Sequence, residues 1–93
     1  MNVALLQVVL QIPDANSLKD KRRVVRGLID RIRNEFPVAA AEIEDQDVWR
    51  SAVLGFASVS NSAKHAASVM QKVLEYLRAS PACRVVEHEL ETL

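Results

Sequence analysis

Glycine, cysteine, histidine and aromatic side chains are all scarce in this 93-residue chain. Each shortage closes off a kind of chemistry. Gly27 and Gly55, the only glycines, cannot build a glycine-rich loop around a phosphate. The single cysteine, Cys83, can form neither an internal disulfide nor a cysteine zinc site, which fits a reducing, cytoplasmic setting. His65 and His88 lie at no motif spacing from Cys83 or from each other, so no nucleophile–base pair is expected. Phe36, Trp49, Phe56 and Tyr76 are the whole aromatic complement. The core must therefore be built from Val, Leu, Ile and Ala. No apolar run approaches the ~18 residues of a membrane span. The apolar start MNVALLQVVLQIP alternates with Gln and lacks a basic leader, and it reads as a strand rather than a signal peptide.

What is present suffices for one domain over residues 1–93. In residues 3–12 the even positions Ala4, Leu6, Val8, Leu10 and Ile12 are all apolar, whereas the odd positions are mixed. That is a strand with one buried face. Ser17 followed by Asp20 is a Ser-x-x-acid cap, and Leu18, Val25, Leu28, Ile29, Ile32 and Phe36 continue at helical spacing until Pro37. Residues 38–44 and 51–60 read as strands. Ser60-Asn61-Ser62 opens a second helix with an apolar stripe of Ala66, Val69, Met70, Val73, Leu74 and Leu77. Residues 84–91 read as the last strand. The order predicts an α+β, ferredoxin-like βαββαβ sandwich. Its four-stranded antiparallel sheet carries both helices on one face, with the first and third strands in the middle.

The chain has no net charge, yet residues 17–33, SLKDKRRVVRGLIDRIR, hold seven of its twelve Lys and Arg. At ~100° per residue, Lys19, Arg22, Arg26 and Arg33 form a stripe beside the apolar arc, and Arg23 extends it. The stripe runs along roughly 21 Å of helix and suits a phosphate backbone. A solvated helix face satisfies the same pattern. Lys21 falls inside the apolar arc, so its stem is expected along the core edge with its ammonium reaching water. The acids are segregated too. If Ala41, Ile43, Val86 and Leu90 face the core, then Glu42, Glu44, Glu87, Glu89 and Glu91 all lie on the open sheet face. Val3, Leu5 and Val9 then form an apolar strip along its middle, a surface for self-association. That face carries no stacking rings, so the sheet-face RNA binding seen in other proteins of this topology is not expected. Glu42, Glu44, Asp45 and Asp47 could together hold a divalent metal or serve as a solvated hairpin tip. No metal, cofactor or catalytic residue is assigned. Trp49 either closes the end of its own core or anchors a partner.

Three stretches also resemble a known family: S-L-K-x-K-R at 17–22, E-x-E-D-Q-D-x-W at 42–49, and A-V-L-G-F at 52–56. They are similar to the YlxP-like proteins, small uncharacterised bacterial proteins, and Pro37 is a departure from the polar residue expected there. The resemblance implies a ferredoxin-like fold and no known enzyme activity. It singles out Ser17, Leu18, Lys19, Lys21, Arg22, Gln46, Asp47 and Trp49. Its usual setting among translation and ribosome-maturation genes implies an RNA or ribosomal partner. The resulting expectation is a non-enzymatic accessory protein, held off the membrane. It would bind structured RNA or a ribosomal particle through Lys19, Lys21, Arg22, Arg23, Arg26 and Arg33. The alternative is a homo-oligomeric interaction module using Val3, Leu5, Val9, Gln46 and Trp49.

Overall fold

The alternation of large apolar and polar residues in the first strand sets the plan of the whole molecule. The structure, a computed structural model, describes residues 1–45 and 47–93. Its elements follow the order β1 (Asn2–Gln11), α1 (Leu18–Glu35), β2 (Ala39–Glu44), β3 (Ser51–Ser60), α2 (Ala63–Ala79) and β4 (Arg84–Thr92). The strands form one antiparallel sheet in the order β2-β3-β1-β4. Each strand–helix–strand crossover leaves a gap that another strand fills, which is the ferredoxin-like split βαβ arrangement.

Capping explains where the helices begin. Ser17 Oγ accepts from the Asp20 N–H at 3.1 Å, and the Asp20 carboxylate accepts in turn from the Asn16 N–H at 3.2 Å. Ser62 Oγ accepts from the His65 N–H at 3.2 Å. α1 ends at Phe36, just before Pro37, whose ring cannot continue it. The Phe36 and Tyr76 rings meet edge to face at 6.1 Å and tie the end of α1 to α2.

The helix-covered face buries the even residues of β1 against Leu54, Phe56, Met70, Leu74 and Leu77. Leu6 lies between Phe56 and Leu90, and Leu10 between Ala52 and Val85. The edge strands do not face as expected: β2 alternates in the opposite phase, and a bulge shifts the start of β4. In β4, Glu87 pairs with Val9 and Val85 with Leu10, so Val86 is the extra residue and stays exposed. Val85, not Val86, packs on the core. In β2, Ala40 and Glu42 stand opposite Phe56 and Leu54 on the helix side. Ala41 stands opposite Gly55 on the open face. Ile43 lies over Gly55 and is also on that face. The inward position of Glu42 removes it from the expected group of five outward glutamates. Glu87, Glu89 and Glu91 do lie on the open face, opposite Val9, Gln7 and Leu5.

Candidate nucleic-acid interface

Helical geometry sorts the cations of α1 into two kinds. Lys19, Arg22, Arg23, Arg26 and Arg33 are exposed. Lys21 is not: it is 0% exposed, among the most buried side chains in the protein. The expectation that its ammonium reaches water is wrong, and so is its place among the phosphate contacts. Its Nζ lies 3.0 Å from Glu42 Oε2 and donates to the carbonyls of Asp45 and of Ser51, the latter at 3.1 Å. An ammonium has three donors, and three acceptors are in place. A buried lysine needs such partners because an unpaired charge in the interior is strongly destabilising. This explains why β2 turns Glu42 inward and Ile43 outward.

The latch also shapes the β2–β3 loop. Asp45 takes a left-handed backbone conformation at φ 61°, which Asp tolerates better than most residues. Its carboxylate accepts from Ser51 Oγ at 2.9 Å, and its carbonyl accepts from the Val48 N–H at 3.0 Å. Arg50 fastens the far end of the loop. Its carbonyl accepts from the Ile12 N–H at 2.9 Å, and its Nε donates to the Ala15 carbonyl at 2.9 Å. The S-L-K-x-K-R and E-x-E-D-Q-D-x-W stretches are thereby brought to one end of the molecule. Sequence reading missed Arg50, Ser51 and the inward Glu42. The available signal was Lys21 itself, a lysine at a core position that requires a buried counter-charge.

On the outer face of α1, Lys19, Arg22, Arg23, Arg26 and Gly27 line a shallow depression of about 500 Å³, with Asp30 as its one acid. A methyl at Gly27 would meet only the guanidinium of Arg31, one turn on, at 3.3 Å. Arg23 pairs with Asp20 at 3.0 Å, and Arg22 approaches Asp47 at 3.8 Å with both side chains exposed. Exposed pairs of this kind are weak and screened by salt. Lys19, Arg26 and Arg33 have no ion-pair partner among the described residues. Arg33 lies in the last turn of α1, beyond the depression.

The residues expected at a self-association surface separate. Val3, Leu5 and Val9 are half-buried on the open face, opposite Val59, Ala57 and Val53 of β3. Leu5 lines an apolar hollow of about 430 Å³ with Ala39, Ala41, Ile43, Gly55 and Ala57, edged by Glu89 and Glu91. Trp49 does not line it. Trp49 stands on the β2–β3 loop and is 52% exposed, so it does not close the core. Gln46 lies outside the described residues.

The acids at 42–47 diverge: Glu42 serves Lys21, Asp45 serves Ser51 and Asp47 faces Arg22. Among the described residues, no three His, Cys, Asp or Glu side chains are gathered to hold a metal. Cys83 is buried, its thiol directed at the Leu77 carbonyl at 3.6 Å. Desolvation raises its pKa, against a smaller opposing effect of a hydrogen bond with Ser80. His88 faces Arg78 on the helix side at 3.4 Å. Among the described residues, no helix is long and apolar enough to cross a membrane.

Comparison with known proteins bears on the family and the fold. The chain is 39% identical over 70 residues to a Bacillus subtilis (strain 168) protein named "Uncharacterized protein YlxP", covering 75% of this chain and 76% of that one. Among solved structures, a de novo designed protein with ferredoxin fold superposes with a TM-score of 0.55 at 15% identity, covering 100% of this chain and 84% of the design. LarC2, the C-terminal domain of a cyclometallase involved in synthesis of the NPN cofactor of lactate racemase, matches at a TM-score of 0.50 and 8% identity, covering 100% of this chain and 55% of that one. At such identities the likeness is one of fold and carries no activity with it. Residues 3–90 match the family model described as "Protein of unknown function (DUF503)". From its first strand to its last, the chain therefore belongs to the DUF503 family of proteins of unknown function.

Proposed function

We propose that this protein is a non-enzymatic accessory protein of the cytoplasm that binds structured RNA, free or within a ribosomal particle, through the outer face of α1. The observation that carries this reading is the depression where Lys19, Arg22, Arg23 and Arg26 converge around Gly27 with a single acid beside them. Four phosphate-contacting cations, taken as Lys19, Arg22, Arg26 and Arg33, make binding steeply salt-dependent. Raising salt from about 50 to 200 mM should weaken it roughly 50- to 150-fold. The test is binding of ribosomal RNA and ribosomal subunits at these two salt levels, with Arg22→Gln/Arg26→Gln as the comparison. A steep salt slope that flattens in the double variant supports the reading. Equal binding by the two proteins would reduce α1 to a solvated face.

A second reading rests on the apolar hollow around Leu5, which edge glutamates flank on one side. A second copy of the chain would cover it. Leu5→Glu would then lower the mass measured by light scattering, and an unchanged mass would dismiss that surface.

A further inference from the structure

We infer that Trp49 is a base-stacking platform adjoining the cationic face of α1, so that the RNA recognised carries an unpaired base next to a helical stem. The inference rests on the reading of α1 as a phosphate-binding face and adds to it what the ligand must look like. Three observations carry it. Trp49 and its neighbour Val48 are 52% and 46% exposed, so the indole is not part of the core. The loop that bears it is braced at both ends. Lys21 and Ser51 hold Asp45, while Ile12 and Ala15 hold Arg50. Holding Asp45 and Arg50 limits how far Trp49 between them can wander, which lowers the ordering cost of a contact. Finally, the same loop touches the cationic stripe, because Asp47 lies 3.8 Å from Arg22.

The chemistry of that juxtaposition selects RNA with a looped-out base over a uniform duplex. Every base has a π face, and an aromatic ring accepts it without reading its edge. A paired base inside an A-form stem is not available for stacking, whereas a bulged or terminal one is. Lys19, Arg22 and Arg26 would hold the phosphates of the flanking stem while Trp49 takes the extruded base. The exposed Asp47–Arg22 contact is long and solvated, so a phosphate can replace the carboxylate at Arg22 at little cost.

Trp49 is the only tryptophan of the chain, so its intrinsic fluorescence reports on this site alone. The experiment titrates the full chain with two hairpin RNAs that share one stem, one fully paired and one carrying a single bulged adenosine. Affinity is read separately from the anisotropy of a dye on the RNA. The bulged hairpin should bind about tenfold more tightly than the paired one and should quench Trp49 emission. Trp49→Ala should bind both hairpins equally, with Trp49→Phe retaining part of the preference. Thermal melts of both variants should match the unsubstituted protein, because the indole lies outside the core. Anisotropy that reports equal binding of both hairpins, with Trp49 emission unchanged, overturns the platform while leaving the α1 reading intact. Absence of binding by either hairpin overturns both. A shift of Trp49 emission on dilution of the protein alone would place the indole in a contact between copies and also overturn the platform.

Discussion

α1 and α2 are almost equal in length, 18 and 17 residues, yet the sheet holds them by different means. α2 buries six apolar side chains and packs over β1, β3 and β4. α1 lies chiefly over β2 and buries Val25, Leu28 and Ile32 together with Lys21. The apolar attachment of α2 is strong and non-directional. The attachment of α1 includes a directional element, an ammonium set between one carboxylate and two carbonyls. Burial alone can hold a helix on a sheet. A charge latch, in addition, sets one loop against one helix face, and here that loop carries Trp49.

Breaking the latch offers the largest expected effect. Lys21→Met takes the ammonium away from the inward Glu42 and from the Asp45 and Ser51 carbonyls and should cost about 3–5 kcal/mol, measured by urea denaturation. Adding Glu42→Leu should recover much of that loss, since a well-packed apolar pair avoids the buried charge. A cost below ~1 kcal/mol for Lys21→Met would mean that apolar packing alone holds α1.

Leu77→Ala tests the other side of the comparison. Leu77 is fully buried on the inner face of α2, and its truncation should cost about 2–5 kcal/mol. No single partner substitution should restore it, because the loss is spread over a packed cluster. If a double-mutant cycle found strong coupling between Leu77 and one neighbour, the contrast between the helices would fail.

The smallest effect sharpens the description of α1. Gly27→Ala should raise stability by about 0.5–1 kcal/mol, because glycine is a poor residue inside a helix. The new methyl would meet only the flexible end of Arg31 at 3.3 Å. A loss of stability in a thermal melt would show that Arg31 cannot move aside.

The strand and helix order was legible in the sequence because both periodicities are strong. The even positions of β1 and the Ala66–Leu77 stripe of α2 read directly onto the core. The capping serines marked the helix starts, and Pro37 the end of α1. The cationic face was legible for the same reason: side-chain direction on a helix follows from residue number alone. The facing of β2 and β4 was not legible. Ala41 and Ile43 were expected in the core, but β2 alternates in the opposite phase, with Ala40 and Glu42 inward; in β4 a bulge at Val86 breaks the alternation.

Local pattern thus determined the elements, their order and the cationic outer face of α1. Only the tertiary structure decided that Lys21 is interior, that Glu42 turns inward to meet it, and that the loop bearing Trp49 is braced beside Arg22. The reason is the distance in sequence between the groups involved. Periodicity is a property of neighbours along one element, whereas the partner of a buried charge is chosen by whichever acceptors the packed chain brings within reach, here Asp45, 24 residues away, and Ser51, 30 residues away.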